Sequence, residues 1–166
     1  MRHYWSEFIT LLVTPFEHIS LVWGIVPLYF GLLLNEATAN KASFRTAIQT
    51  GFSFLWAVAQ WTYPYFVSQA GQTPPVEPIN IFVTILVLGF GLAALASGVR
   101  KRFPKYGRFL GHTRFANYFM IMIFPMQASA SHWLSWTWDR LLAIFIFAVP
   151  VWLGLHFGLM PLRGKR

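Results

Sequence analysis

The chain contains no cysteine, which excludes disulfides, thiolate metal sites and cysteine nucleophiles together. Acidic residues are almost as scarce: Glu7, Glu17, Glu36, Glu77 and Asp139 are the only five. All of them fall at the ends of apolar runs or between runs. No pair of carboxylates is therefore placed for general acid–base work, and no acid lies inside an apolar run to carry protons. There is no Ser–His–Asp spacing, no HExxH pattern and no glycine-rich phosphate loop. Asn-x-Ser/Thr sequons are missing as well. These absences argue against catalysis and sit easily with a bacterial inner membrane. The N-terminal apolar run is short, is broken by Glu7 and lacks a small-residue cleavage site, so it reads as retained rather than as a signal peptide. No internal repeat of 20–50 residues occurs.

Charge as a whole is thin. Of 166 residues, 11% are charged and 56% hydrophobic, against roughly 25% charged in an average soluble domain. A small soluble domain leaves much of its surface in water and could not cover so much apolar area. A bilayer core accepts it, at about 20 apolar residues per helical crossing. The chain then has room for four or five crossings and no separate soluble domain. The fold class expected is an all-α integral membrane protein: a single five-transmembrane-helix bundle preceded by an amphipathic interfacial helix.

That first helix covers residues 1–16. Tyr4, Trp5, Phe8, Leu11, Leu12 and Phe16 share one face, with Ser6, Glu7, Thr10 and Thr14 on the other and Pro15 closing the pattern. Crossings are predicted over about residues 18–34, 47–66, 79–99, 115–130 and 141–160. The first contains Pro27 and ends at Asn35 and Glu36. Ser43 and Thr46 are candidate caps for the second, which closes in Trp61, Tyr63, Tyr65 and Phe66, aromatics suited to a headgroup boundary. The fourth run, with Pro125 and Gln127, reads either as a kinked crossing or as a re-entrant segment.

The net charge of +8 would suggest nucleic acid in a soluble protein. Here the basic residues border apolar runs, so orientation and lipid headgroups account for them and no nucleic-acid partner is expected. With five crossings one side collects Lys41, Arg45, Arg100, Lys101, Arg102, Lys105, Arg108, Arg114, Arg163, Lys165 and Arg166, leaving Arg2 and Arg140 on the other. The positive-inside rule makes the first side cytoplasmic, with the C-terminus there and the N-terminus outside. Arg100, Lys101, Arg102, Lys105 and Arg108 form the expected contact with anionic lipids.

Helices in lipid associate through close backbone approach at small residues. Gly89, Ala93 and Ser97 offer that at four-residue spacing, with Ala94 and Gly98 beside them, as do Gly154 and Gly158. These faces are expected to pack within the bundle or against another subunit or a second copy. Gln49, Ser53 and Gln60 form a polar stripe that should face protein. Glu17 and His18 are read as capping the start of the first crossing, and Asp139 with Arg140 as a local pair.

His156, between Gly154 and Gly158, is the ionisable residue deepest in an apolar run. Such a residue is a candidate site; histidine is the usual axial ligand of haem or a chlorophyll-type pigment. No second histidine pairs with it at matching depth. The favoured reading is a neutral imidazole hydrogen-bonded inside the bundle, with cofactor ligation as the alternative. No cofactor is predicted. By elimination, the function expected is that of a non-catalytic structural or accessory subunit of a membrane assembly. An oligomeric channel or transporter lined by Gln49, Ser53 and Gln60, or a pigment-binding subunit built on His156, are the alternatives.

Overall fold

The computed structural model describes residues 1–18, 26–38, 43–67, 77–101, 113–127 and 134–162, and among these there is no strand. Six helices form: α1 (Arg2–Glu17), α2 (Val26–Thr38), α3 (Phe44–Val67), α4 (Pro78–Val99), α5 (Thr113–Gln127) and α6 (Trp138–Gly158), followed by a 3₁₀ turn at Met160–Leu162.

Local chemistry sets several boundaries. Ser43 and Thr46 cap α3 reciprocally: Ser43 N donates to Thr46 Oγ1 (2.9 Å) and Thr46 N to Ser43 Oγ (3.2 Å). That arrangement satisfies amides that have no partner inside the helix, and it starts α3 at Phe44 rather than at residue 47. Pro78 opens α4 in the first turn, where a missing N–H costs nothing. Thr137 caps α6 by accepting from Arg140 N (3.4 Å).

Two helices, α4 and α6, are long and apolar enough to cross a membrane. The core helix of a soluble protein would be mostly buried; here only 22% of the apolar stretch of α4 and 17% of that of α6 are. Phe82, Ile85, Phe90, Phe145, Val149 and Phe157 all stand exposed. Exposed apolar surface on that scale marks a surface that meets something other than water.

The interior is organised around α5. From Asn117 to Gln127 every residue of α5 is buried or half-buried. On one side Met120, Ile121 and Phe124 pack with Leu28 of α2, Phe54, Ala57 and Trp61 of α3, and Val87 of α4. On the other, Tyr118, Met122 and Met126 pack with Phe8 and Leu11 of α1 and with Ala143, Ile144 and Ala148 of α6. Tyr118 Oη donates to the Ile144 carbonyl (2.8 Å), tying α5 to α6. This central position buries two polar side chains: Gln127, whose amide nitrogen finds partners on α4, and Asn117, whose side-chain amide has no hydrogen-bond partner among the described residues.

Four expectations are corrected. The N-terminal helix does not stop at Pro15 but runs to Glu17, and it docks along α5 and α6. Its buried side is Phe8, Leu11, Thr14 and Pro15, while Trp5 and Phe16 are exposed. Thr14, assigned to the polar face, is accommodated because its hydroxyl donates to the Thr10 carbonyl (2.6 Å). Glu17 and His18 lie at the end of α1, not at the start of a crossing. Helix α2 is described over Val26–Thr38 and passes through Asn35 and Glu36. Its expected start near residue 18 falls partly on residues outside the description. Finally, Asp139 and Arg140 do not pair with each other. Arg140 Nε holds Glu7 Oε2 at 3.0 Å and Asp139 faces His3 at 3.5 Å, so both acids bind the N-terminal helix to α6.

Candidate functional site

Gln127 ends α5, and its amide nitrogen reaches α4. It donates to the Asn80 carbonyl (2.6 Å) and to Thr84 Oγ1 (2.8 Å). The Asn80 side chain in turn accepts from Trp136 Nε1 (2.7 Å), just ahead of α6. These bonds bring the start of α4, the end of α5 and the approach to α6 together at one end of the bundle, referred to as the tryptophan end. Since His3 meets Asp139, α1 begins there too. The opposite, basic end joins the start of α3 to the end of α4, where the Phe44 carbonyl lies beside Gly98. Arg45, Arg100 and Lys101 belong to that end.

Beside the Gln127 network a cleft of about 250 Å³ opens between α3, α4 and α5. Its walls are Trp61, Thr62 and Tyr65 of α3 and Ile81, Thr84 and Ile85 of α4, with Asn80 and Gln127 at the polar end. Trp61 is 1% exposed and Gln127 2%. Trp61 Nε1 and Gln127 Oε1 are buried without a hydrogen-bond partner among the described residues. Native proteins leave few such groups unmet. Both atoms are shielded from the space of the cleft, so what faces that space is almost wholly apolar.

The expected packing residues divide. Ser97 is buried, but Gly89 and Ala93 are exposed, and a Cβ built at Gly89, Gly154 or Gly158 meets nothing within 4 Å. The small-residue seam of α4 is therefore shifted around the helix, to Gly91, Ala94 and Gly98. A Cβ at Gly98 would come within 2.5 Å of Ile48 Cγ1 and 2.8 Å of the Phe44 carbonyl; one at Gly51 of α3 would come within 2.7 Å of Leu95 N. Helices α3 and α4 are antiparallel and nearly in backbone contact there. Gly51 and Gly91 escaped notice in the sequence because the face was chosen by four-residue spacing alone, while Ala94 and Gly98 had been seen only as neighbours of it.

Ser53 is buried, and Gly31 of α2 is close enough that a Cβ there would lie 3.2 Å from Ser53 Oγ. The hydroxyl donates to the Gln49 carbonyl (3.0 Å). Gln49 and Gln60 are half-buried. At Ser53, then, the stripe meets a neighbouring helix of the same chain. His156 lies in the last turn of α6, half-buried, with its ring stacked on Trp152 (5.5 Å between centroids, 25° between planes) and edge-on to Phe157 (5.2 Å, 88°). Among the described residues no three His, Cys, Asp or Glu side chains cluster to hold a metal ion. Arg100 and Lys101 are exposed at the end of α4, whereas Arg102, Lys105 and Arg108 lie outside the described residues.

Asn80 was missed in the sequence, although a signal existed: it and Thr84, one turn apart, are the polar interruptions near the start of the most apolar helix. Comparison with known proteins finds no matching family model, no matching curated protein and no matching solved structure.

Proposed function

We propose that the chain is a non-catalytic integral membrane protein, a structural or accessory subunit of a homo- or hetero-oligomeric membrane assembly. The observation that carries this is the inverted polarity of the bundle: large apolar side chains of α4 and α6 point outward, while Asn80 of α4 and Asn117 and Gln127 of α5 are inside. In the reading favoured here α2 to α6 make five crossings and α1 braces α5 and α6 from the side. The basic end is cytoplasmic and the tryptophan end external, in the inner membrane of a bacterium, because Arg45, Arg100 and Lys101 share the former. Exposed Arg100 and Lys101, continuing into Arg102, Lys105 and Arg108, would hold anionic headgroups at about 1 kcal/mol per basic residue.

The outward positions of Gly89, Ala93, Gly154 and Gly158 support the assembly part of the reading. They leave two places where a helix of another chain can approach closely. Ser53, turned against α2, weighs against a conduction path along the Gln49–Ser53–Gln60 stripe. The chain lacks cysteine, which makes the test direct. A single cysteine at Ala93 or at Gly158 should crosslink to a neighbouring chain in native membranes. If neither forms an adduct beyond the monomer, both faces meet lipid and the subunit role fails.

A further inference from the structure

We infer that the outward face of α1 is a contact between two copies of the chain, in which Glu17 of each copy meets His18 of the other. The inference rests on the membrane reading above and names one surface and one partner for the assembly.

Glu17 lies deep between the two ends of the bundle, at a level fixed by contacts counted from capped helix starts. Phe147 is nine residues beyond the start of α6, which Thr137 caps, about 13 Å of helix rise. The Phe8 ring packs on it at 4.7 Å. Eight residues further along α1, the Phe16 ring packs on Tyr29 of α2 at 5.5 Å. Tyr29 precedes Gly31 by two residues, and a Cβ at Gly31 would lie 3.2 Å from Ser53 Oγ. Ser53 in turn is nine residues beyond the capped start of α3, again about 13 Å. Helix α1 therefore enters from the tryptophan end and reaches about halfway through a hydrocarbon core of about 30 Å.

Phe16, Glu17, His18 and Val13 are all exposed, so a carboxyl group stands at this depth on the outside of the bundle, beside apolar neighbours. The two acids that tie α1 to α6 are paired, Glu7 with Arg140 and Asp139 with His3. Among the described residues Glu17 has no such partner. An ionisable side chain at mid-depth is costly against lipid and marks a place where a polar group meets it. Because Glu17 is exposed, that group belongs to another chain.

A second copy supplies it. A carboxyl and an imidazole share one proton and form a net-neutral pair whichever of them holds it. A twofold axis along the membrane normal keeps both copies in one orientation and sets residues 17 and 18 of each at the same depth. The acid–base contact then forms twice. Ser6 and Thr10 lie on the outward side one turn apart, small enough for two helices to approach closely. The Thr10 hydroxyl already donates to the Ser6 carbonyl (2.9 Å), so it needs no water there. A different subunit would have to bring its own donor to Glu17, whereas this chain carries one at the next residue.

The test uses the full chain, which has no competing thiol. Thr10→Cys and Val13→Cys should each crosslink to a second copy in native membranes, and Phe145→Cys on α6 should not. In vesicles, energy transfer between dye-labelled copies measures the dimer. Glu17→Ala should raise its dissociation constant about tenfold, two reciprocal pairs being lost at once. The exchange Glu17→His with His18→Glu should restore dimerisation, because each acid again faces a base.

Absence of both crosslinks, with Ala93→Cys or Gly158→Cys still crosslinking, overturns this face and leaves the assembly reading intact. Crosslinks only to a different polypeptide overturn the second copy as partner. Free labelling of Thr10→Cys and Val13→Cys by a membrane-impermeant maleimide in intact cells shows a water-facing surface and overturns the contact. Crosslinking that persists while the exchange fails to restore dimerisation overturns the Glu17–His18 pairing. If cysteines at Glu77 and Arg100 label from the same side, the membrane reading falls together with the inference.

Discussion

Gly98 of α4 faces Ile48 of α3 so closely that a methyl group at Gly98 would lie 2.5 Å from Ile48 Cγ1. The other close neighbours of that methyl group are the Phe44 carbonyl and the Ile48 amide nitrogen, backbone atoms that cannot rotate away. Alanine at Gly98, or at Gly51 where Leu95 N and the Gly91 carbonyl would be met, must force α3 and α4 apart. Each should lower stability by about 1–3 kcal/mol. Alanine at Gly89 or Gly154, where nothing lies within 4 Å, should be neutral or stabilise by up to about 1 kcal/mol. Unfolding of the four variants in detergent measures both effects, and equal stability across the set would refute the seam.

The two ends of α4 should lie on opposite sides of a membrane. Glu77 and Arg100 flank the helix and both are exposed, and the native chain offers no competing thiol. In intact cells a membrane-impermeant maleimide should label a cysteine at Glu77 and should reach one at Arg100 only after permeabilisation. Labelling of both under the same condition would remove the crossing.

The Gln127 clamp should be worth measuring by a double-mutant cycle. Gln127→Leu removes two hydrogen bonds to α4 and Trp136→Phe removes one to Asn80. Interhelical hydrogen bonds in a membrane average about 0.6 kcal/mol and reach about 1.7, so Gln127→Leu should cost about 1–3 kcal/mol. Because both residues act on Asn80, their effects should not add. Strict additivity would mean that Asn80 does not connect them.

His156 stacks on Trp152 of its own helix, and that contact survives in a planar amide better than in a branched aliphatic side chain. His156→Gln should therefore leave stability and assembly near those of the parent, and the purified parent should be colourless. A visible absorption band that disappears in His156→Gln would establish axial ligation and overturn the cofactor-free reading.

Composition and order in the sequence determined what depends on local physics. The apolar run that becomes α4 was legible almost to the residue, since its length and uniform hydropathy leave no competing structure. The capping pair of α3, Ser43 and Thr46, was legible, although the start expected at residue 47 lay three residues late. The separation of Arg45, Arg100 and Lys101 at one end from Arg2 and Arg140 at the other followed from where the apolar runs stop. Only tertiary structure decided which face of each helix meets protein. Gly89, Ala93 and Gly91 are equally small, and spacing along one helix does not say where the neighbouring helix lies; the crossing of α3 over Gly91, Ala94 and Gly98 selects among them. The same holds for Glu7 with Arg140 and for Gln127 with Asn80. Those partners are separated by 133 and 47 residues of chain, and a hydrogen bond is fixed by distance in space, which packing sets and sequence spacing does not.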